Sequence, residues 1–525
     1  PPASPPVSLA LSSDGEAARF LMQATFGPRS SDIAEVRARG IEAWITAQMA
    51  KPISNHQALT IEEHANDPTG GRGNDNARAG TVHRDSAWWK IAINGEDQLR
   101  QRVAFALSQI FVVSVENAVL NNWQEGTANY YDLLVQGAFG NYRDLLENVT
   151  LSPIMGIYLS HLRNAKADPE TGSVPDENYA REVMQLFSIG LNQLQPDGTL
   201  KLNPSGLPIA TYDNTTIQEM AKIFTGWSFR VNNPNNPNFF RRGGANYIDP
   251  MSLFPDFHDT GPKTIVGGIA VPAGQGGEAD LRVTLDALFE HPNTGPFIAR
   301  RLIQRLVTSN PSPNYVYRVA QKFADNGSGV RGDLGAVVRA ILTDFEARSP
   351  EVAAITGFGK LREPLLRMTN LFRIAPATSE DGRLDLRNLD RDFGQQPLNS
   401  PSVFNFWEPD YVRPGPLAAA GLFAPEFQVL TDTTAITAAN VIYAHLFFTP
   451  SGIRADVTAL SALAGQRDAL VAHLNLMLAA NSLSPASIAQ LAAAYDALPS
   501  GLSPIDRVRS MVYLTMMAPE AVVQR

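Results

Sequence analysis

"PDENYAREVMQLFSIG" (Pro175–Gly190) carries the periodicity that sets the fold class of this chain, and it raises the first question about function. On a wheel turning about 100° per residue, Ala180, Val183, Met184, Leu186 and Phe187 share one broad face. Asn178, Arg181, Glu182, Gln185 and Ser188 share the other. That spacing predicts an amphipathic helix over 178–190. Asp176 and Glu177 stand at its start, where free backbone N–H groups and the helix dipole favour negative charge. The polar stripe contains no lysine. A solvated face is the simpler expectation for it, but the wall of a polar cleft has the same composition.

The helical period recurs along the chain. "EAARFLMQATF" (Glu16–Phe26) has it and stops at Gly27-Pro28. "SSDIAEVRARGIEAWITAQMA" follows, with Ser30 or Ser31 as N-cap. "DQLRQRVAFALSQIFVVS" (Asp97–Ser114) reads as a long buried helix. Further helices are expected at 127–148, 216–224, 281–290, 296–307, 314–325 and 333–346. From Thr431 the chain is rich in Ala and Leu and reads as several packed helices. "DTGPKTIVGGIAVPAG" has short apolar runs punctuated by Gly and Pro, the pattern of a small hairpin.

The expected fold is therefore mainly α, a large multi-helical assembly with long loops and a small β-hairpin region. Its expected organisation is a spacer at 1–14, a helical core at 15–430 and a C-terminal helical region at 431–525 packed on that core. Loop insertions are expected at about 66–85, 164–178 and 230–280. Loops this long in a compact protein are usually functional or mobile.

Composition removes several function classes. The chain has 525 residues, 44% of them hydrophobic, and a net charge of -9. It has no long Lys/Arg run, so nucleic acid is not an expected partner. No apolar stretch approaches the roughly 20 residues of a membrane span. There is no cysteine. Disulfides, thiolate catalysis, Cys-ligated metal and covalent haem are thereby excluded. HExxH, GxSxG, the P-loop and GxGxxG are absent in their required contexts. The Pro/Ser-rich start, "PPASPPVSLALSSDGEAARF", is read as a mature N-terminus after removal of a signal peptide. The expectation is an exported protein, periplasmic or extracellular.

Two further stretches carry candidate chemistry. In "TTIQEMAKIFTGWSF" (Thr215–Phe229), Thr216 and Glu219 have capping-box spacing, and Trp227 follows Gly226 as a core anchor or a pocket wall. In "FHDTGPKTIVGG" (Phe257–Gly268), His258 and Asp259 stand side by side. That pair suits proton transfer or metal binding, although turns favour Asp in any case. The loops at 66–85 and 164–178 are rich in oxygen ligands suited to calcium, without EF-hand spacing. Calcium is the metal these loops would take; the metal ligands stay unassigned.

Six stretches, in order, resemble the bacterial domain of unknown function 1800 family over nearly the whole chain. They are "AARFLMQATFGPRSSDI", "PDENYAREVMQLFSIGL", "AKIFTGWSF", "FHDTGPKTIVGG", "HPNTGPFIARRLIQRLV" and "APEAVVQR". The resemblance implies an exported, largely helical protein. It also implies a partner, an exported phosphatase- or sulfatase-like protein of the domain of unknown function 1501 family. Asn178, Arg181, Glu182, Gly226, Trp227, His258, Asp259 and Lys263 fall on the recurrent motifs. Two departures matter. Many relatives carry a Trp-His-Asn-His-like segment where this chain has "FALSQIF" (Phe105–Phe111), and many carry Glu where it has Gln185.

Two functions follow as expectations. In the first, an enzyme acts on an extracellular polymer. Glu182 is the acid or base, Arg181 orients it, and His258 and Asp259 complete an internal polar cleft. Asn178, Trp227 and Lys263 contact substrate, while Trp88, Trp89, Trp227, Trp407 and Tyr411 offer flat surfaces to sugar rings. The arginine would lower the pKa of Glu182, which suits a base. In the second, a non-enzymatic periplasmic or surface scaffold uses its polar motifs to hold helices and its loops to bind a partner.

Overall fold

Ser-Pro pairs open several helices of this chain, among them Pro313–Ala324, Pro350–Ala353, Pro485–Ala497 and Pro504–Met517. In these four, the serine oxygen accepts an otherwise unpaired backbone N–H. Proline at the first helical position lacks an N–H and has its φ already set, so the pair starts a helix cheaply. The computed structural model describes residues 11–67, 78–386 and 388–525. Residues 1–10 of the expected spacer and 68–77 of the expected 66–85 loop lie outside the described residues. Helices dominate, and the named strands among the described residues pair only in twos. The fold is mainly α, as the periodicity implied.

Several boundaries differ from the pattern reading. Asp14 already belongs to the helix Asp14–Ala24, capped by Ser13. The helix Thr81–Asn94 starts inside the stretch read as loop. The expected 127–148 helix is two, Gln124–Gly137 and Tyr142–Leu151, with Asn141 capping the second. The 97–114 helix ends at Ser108, and buried non-helical chain continues to Val115. A buried apolar run has no period by which to tell the two apart. The motif helix is Asn178–Gln185. Ile189 and Gly190 both donate to Met184 O at 3.0 and 2.9 Å, and Gly190 (φ +70°) turns the chain away.

The chain divides into two compact units. The first comprises residues 1–106, 303–311 and 341–525. Its core holds Phe26, Trp88 and Phe105 in mutual ring contact, and Trp89 edge-on to Phe372. A wholly buried charge network lies within it. Lys360 Nζ pairs with Glu363 at 3.2 Å and Glu426 at 2.9 Å, and it donates to Gln304 O at 2.9 Å. Lys360–Leu361 pairs as a strand with Val523–Gln524. Gln524 in turn donates to the carbonyls of Leu306 and Val307 at 2.8 and 3.1 Å. The terminal motif "APEAVVQR" thus closes a helix end.

The second unit comprises residues 107–302 and 312–340, and it contains Asn178, Arg181, Glu182, Trp227, His258, Asp259 and Lys263. Its core is aromatic: Phe111, Tyr142, Tyr179, Phe187, Phe224 and Phe323. The predicted hairpin is present, with Lys263, Thr264 and Ile265 opposite Val271, Ala270 and Ile269. The segment 191–211, which periodicity did not single out, forms short backbone ladders. Gln193 N donates to Ile209 O at 2.7 Å and Asn203 N to Leu207 O at 2.8 Å. Asn293 of the "HPNTG" motif roots this arm. Its amide donates to Ile189 O and Asn192 O, both at 2.8 Å, and its oxygen accepts Leu194 N at 2.9 Å.

Candidate functional site

Asp213 starts the helix Asn214–Ile223, its side chain accepting Thr216 N at 2.8 Å. This corrects the capping-box reading. Glu219 instead pairs with Lys222 at 2.5 Å and accepts Thr264 N at 3.3 Å, reaching across to the hairpin. The helix gives way to Thr225-Gly226-Trp227. Gly226 has φ +86°, and a Cβ there would lie 3.0 Å from His258 N, His258 Cβ and Phe254 O. Both the backbone conformation and the close approach therefore require glycine. Trp227 then pairs with Leu253 in a two-residue ladder, which draws residues 254–258 against 225–226.

His258 is enclosed by this crossing. Its Nδ1 lies 2.9 Å from Thr225 O and its Nε2 3.1 Å from Asp280 Oδ2, so both ring nitrogens face acceptors. Lys263 Nζ places its three donors on Asp280 Oδ2 at 2.7 Å, Asp259 O at 2.6 Å and Gly261 O at 3.0 Å. Asp259 folds into a turn. Its N donates to Thr225 Oγ1 at 2.9 Å and its Oδ1 accepts Gly261 N at 2.8 Å. Asp280 sits on the helix Gly277–Glu290 and is 0% exposed. Gly277, at the start of that helix, lets Leu253 and His258 approach, because a Cβ at 277 would meet Leu253 at 2.6 Å and the His258 ring at 3.0 Å.

The arrangement is a closed brace that ties the hairpin to two helices. The structure brings together His258, Asp259 and Lys263 as the motif order suggested, and adds Asp280 and Thr225. Trp227 is buried as a core anchor, and Lys263 is buried with all its donors engaged. Neither presents a surface to a substrate. Sequence reading missed Asp280, although a signal was available. Positions 280, 284 and 288 lie four apart on one helix face with buried Leu281 and Leu285, so Asp280 is a carboxylate on an apolar stripe.

Glu182 stands apart. No hydrogen bond or ion pair among the described residues joins it to His258 or Asp259. It is 6% exposed, so the open-solvent expectation for the stripe fails at this residue. Its Oε2 is buried without a hydrogen-bond partner. Burial pushes the carboxyl above its usual range, against the opposing pull of Arg181. The net direction is the reverse of the lowering expected from the arginine alone. Arg181 itself is part-exposed and pairs with Glu177 at 3.3 Å, one helical turn back. Asn178 is exposed at the head of the helix. Tyr212, just before the Asp213 cap, has a buried hydroxyl without a partner, and burial together with the Glu182 charge pushes its pKa up to about 12. Glu182 and Tyr212 form a second, smaller polar site that the stripe only half announced.

One other expectation is corrected. Trp88, Trp89, Trp227 and Trp407 are all buried, filling cores where ring contacts exclude water, so they offer no sugar-stacking surface. Only Tyr411 of that set is partly exposed. Among the described residues no group of three or more His, Asp or Glu side chains is arranged to hold a metal ion.

A family model described as Protein of unknown function (DUF1800) matches residues 19–523. The chain belongs to this family. No curated protein and no solved structure matches it. Within the DUF1800 chain, the motifs now have physical assignments. "AKIFTGWSF" and "FHDTGPKTIVGG" are the two halves of the brace, "HPNTG" roots the 191–211 arm, and "APEAVVQR" closes a helix end. The segment "FALSQIF" (Phe105–Phe111) is buried here except at Ser108, and its other polar residue, Gln109, is buried too.

Proposed function

We propose that this protein is an exported binding protein whose recurrent polar motifs are architecture and whose loops meet a partner outside the cytoplasm. The observation that carries this reading is the closed brace. The groups best suited to proton transfer, His258 and Asp280, are enclosed and bonded to each other and to Lys263. Export is supported by the cysteine-free composition and by the family resemblance. The partner favoured by that resemblance is a phosphatase- or sulfatase-like exported protein. Affinity capture on the tagged native protein from an envelope fraction tests the reading. A stoichiometric exported partner is the expected result, and recovery of the protein in the cytosol without one would count against it.

A second reading is favoured by Glu182 alone. A carboxyl held above its usual pKa beside a tyrosine is suited to act as a general acid on a polymer. The two readings separate on Glu182→Gln. At pH 7 the substitution is expected to raise stability, because it removes a buried charge without an ion pair. The sign follows from the raised pKa: the folded state binds the proton more tightly, so stability falls as pH rises from the ordinary glutamate value through the folded one. Chemical denaturation across that window should show the slope in the parent and not in the variant. The binding reading requires partner capture to persist in Glu182→Gln. Loss of a measurable polymer turnover in this variant would establish the catalytic reading instead.

A further inference from the structure

We infer that the surface formed by Arg163, Arg230, Arg241 and Arg242 binds a polyanionic glycan, a polymer whose sugars carry carboxylate or sulfate groups. The inference deepens the binding reading and rests on it. From Met220 to Ile248 the chain has Lys222 and three arginines and no acidic residue, within a protein of net charge -9. The fold gathers this charge. Ser228 Oγ donates to Phe240 O at 2.8 Å, pinning the short helix Asn238–Arg242 beside the strand that leads to Arg230. Gly243 lies against Val231, where an added Cβ would sit 3.1 Å from Val231 Cγ1. Arg163 joins from a third segment. Its N donates to Trp227 O at 2.7 Å and its Nη2 to Gly243 O at 3.4 Å.

These guanidinium groups are left available. Arg230, Arg241 and Arg242 are exposed, and no ion pair or hydrogen bond among the described residues engages their side chains. Surface arginines elsewhere in the chain, such as Arg391 and Arg467, pair with neighbouring aspartates. Arg163 is held for the purpose. It adopts φ +64°, a conformation that non-glycine residues rarely take, and stacks 5.2 Å from the Phe229 ring. Stacking uses the face of the guanidinium and Gly243 O takes Nη2, which leaves Nη1 for an anion. The first acidic residue after Arg242, Asp249, accepts from Asn246 Nδ2 at 2.9 Å.

The surroundings select a sugar polymer over a lipid surface. Phe229 packs against Tyr247, and Tyr247 stacks on Trp123 at 3.6 Å, giving a partly exposed aromatic ledge beside the arginines. Asn232, Asn233, Asn235, Asn236 and Asn238 crowd the same loop. Asn233 and Asn236 use their side-chain oxygens to cap turns, which leaves amide N–H groups for sugar hydroxyls. Phe239 at 39% and Ile248 at 37% are the large apolar side chains exposed on this stretch, too little to anchor in a bilayer.

The test uses the full chain and three probes: polygalacturonate, neutral dextran, and vesicles containing phosphatidylglycerol. Binding is titrated between roughly 50 and 200 mM salt, since polyanion contacts weaken with salt in proportion to their number. The expected result is salt-sensitive binding to polygalacturonate and none to dextran. Arg230→Gln/Arg241→Gln/Arg242→Gln should reduce affinity at low salt at least about tenfold and lower the log–log salt slope by about three, with unchanged thermal unfolding. Equal binding by parent and triple variant, or preference for the vesicles, overturns the inference. Failure on all three probes with an exported partner still captured removes the glycan and spares the binding reading. Cleavage of polygalacturonate that is lost in Glu182→Gln removes the binding reading itself.

Discussion

Replacing Asp280 with alanine is expected to lower the unfolding free energy by about 3–5 kcal/mol. Among the described residues Asp280 is the only carboxylate that contacts Lys263 Nζ, at 2.7 Å, and it also lies 3.1 Å from His258 Nε2. Removing it leaves an ammonium group enclosed without counter-charge, and an unpaired buried charge carries a far larger penalty than a lost surface pair. The hairpin should detach first, because Lys263 is its opening residue. Equilibrium urea denaturation gives the loss directly. A double change, Lys263→Met with Asp280→Asn, should recover a large part of it, since no unpaired charge then remains. A loss below about 1 kcal/mol for Asp280→Ala would show that the brace is not what holds the hairpin.

Glu363→Gln is expected to have a comparable effect, about 3–5 kcal/mol, in the other unit. Glu363 is fully enclosed and faces Lys360 at 3.2 Å, with Gln395 Nε2 bonded to its other oxygen at 3.1 Å. Burial would push its pKa up, but Lys360, Arg102, Arg305 and the Gln395 bond outweigh burial and hold it below the ordinary value of 4.5. The sign is therefore opposite to that of Glu182. The unfolded chain takes up the proton first, so the stabilisation is fully present above about pH 4.5 and is lost as pH falls through the folded value. The parent should lose stability on acidification over that range, and Glu363→Gln should lose less. Denaturation midpoints at pH 7 and at about pH 4 provide the comparison.

The export reading, the glycan surface and the Glu182 site make different demands on these two variants. Asp280 and Glu363 lie outside all three, so their effects should appear in folding measurements and only secondarily in capture or binding. A variant that remains folded yet loses polygalacturonate binding must act through the arginine surface.

The amino-acid sequence determined the class of the fold. Local physics is enough for that: apolar residues three and four apart, Ser-Pro starts, and Gly or Gly-Pro stops act within a few residues of each other. The hairpin at 263–271 was legible for the same reason, since Gly267 and Gly268 permit its turn and the apolar runs flank it directly. The sequence also grouped His258, Asp259 and Lys263, because they are neighbours in the chain. It could not show that Asp280 bonds both Lys263 and His258, since those contacts cross 17 and 22 positions and exist only when the helix Gly277–Glu290 packs against the loop. It placed Arg181 beside Glu182 on a wheel, but a wheel does not distinguish an arginine that turns back to Glu177 from one that meets its neighbour. Whether a tryptophan is a sugar platform or a core residue is likewise a matter of what covers it, and tertiary packing covers all four. Chain-local propensity fixed where the helices run; desolvation, which depends on every element packed around a group, decided which charges are braces and which remain open to a ligand.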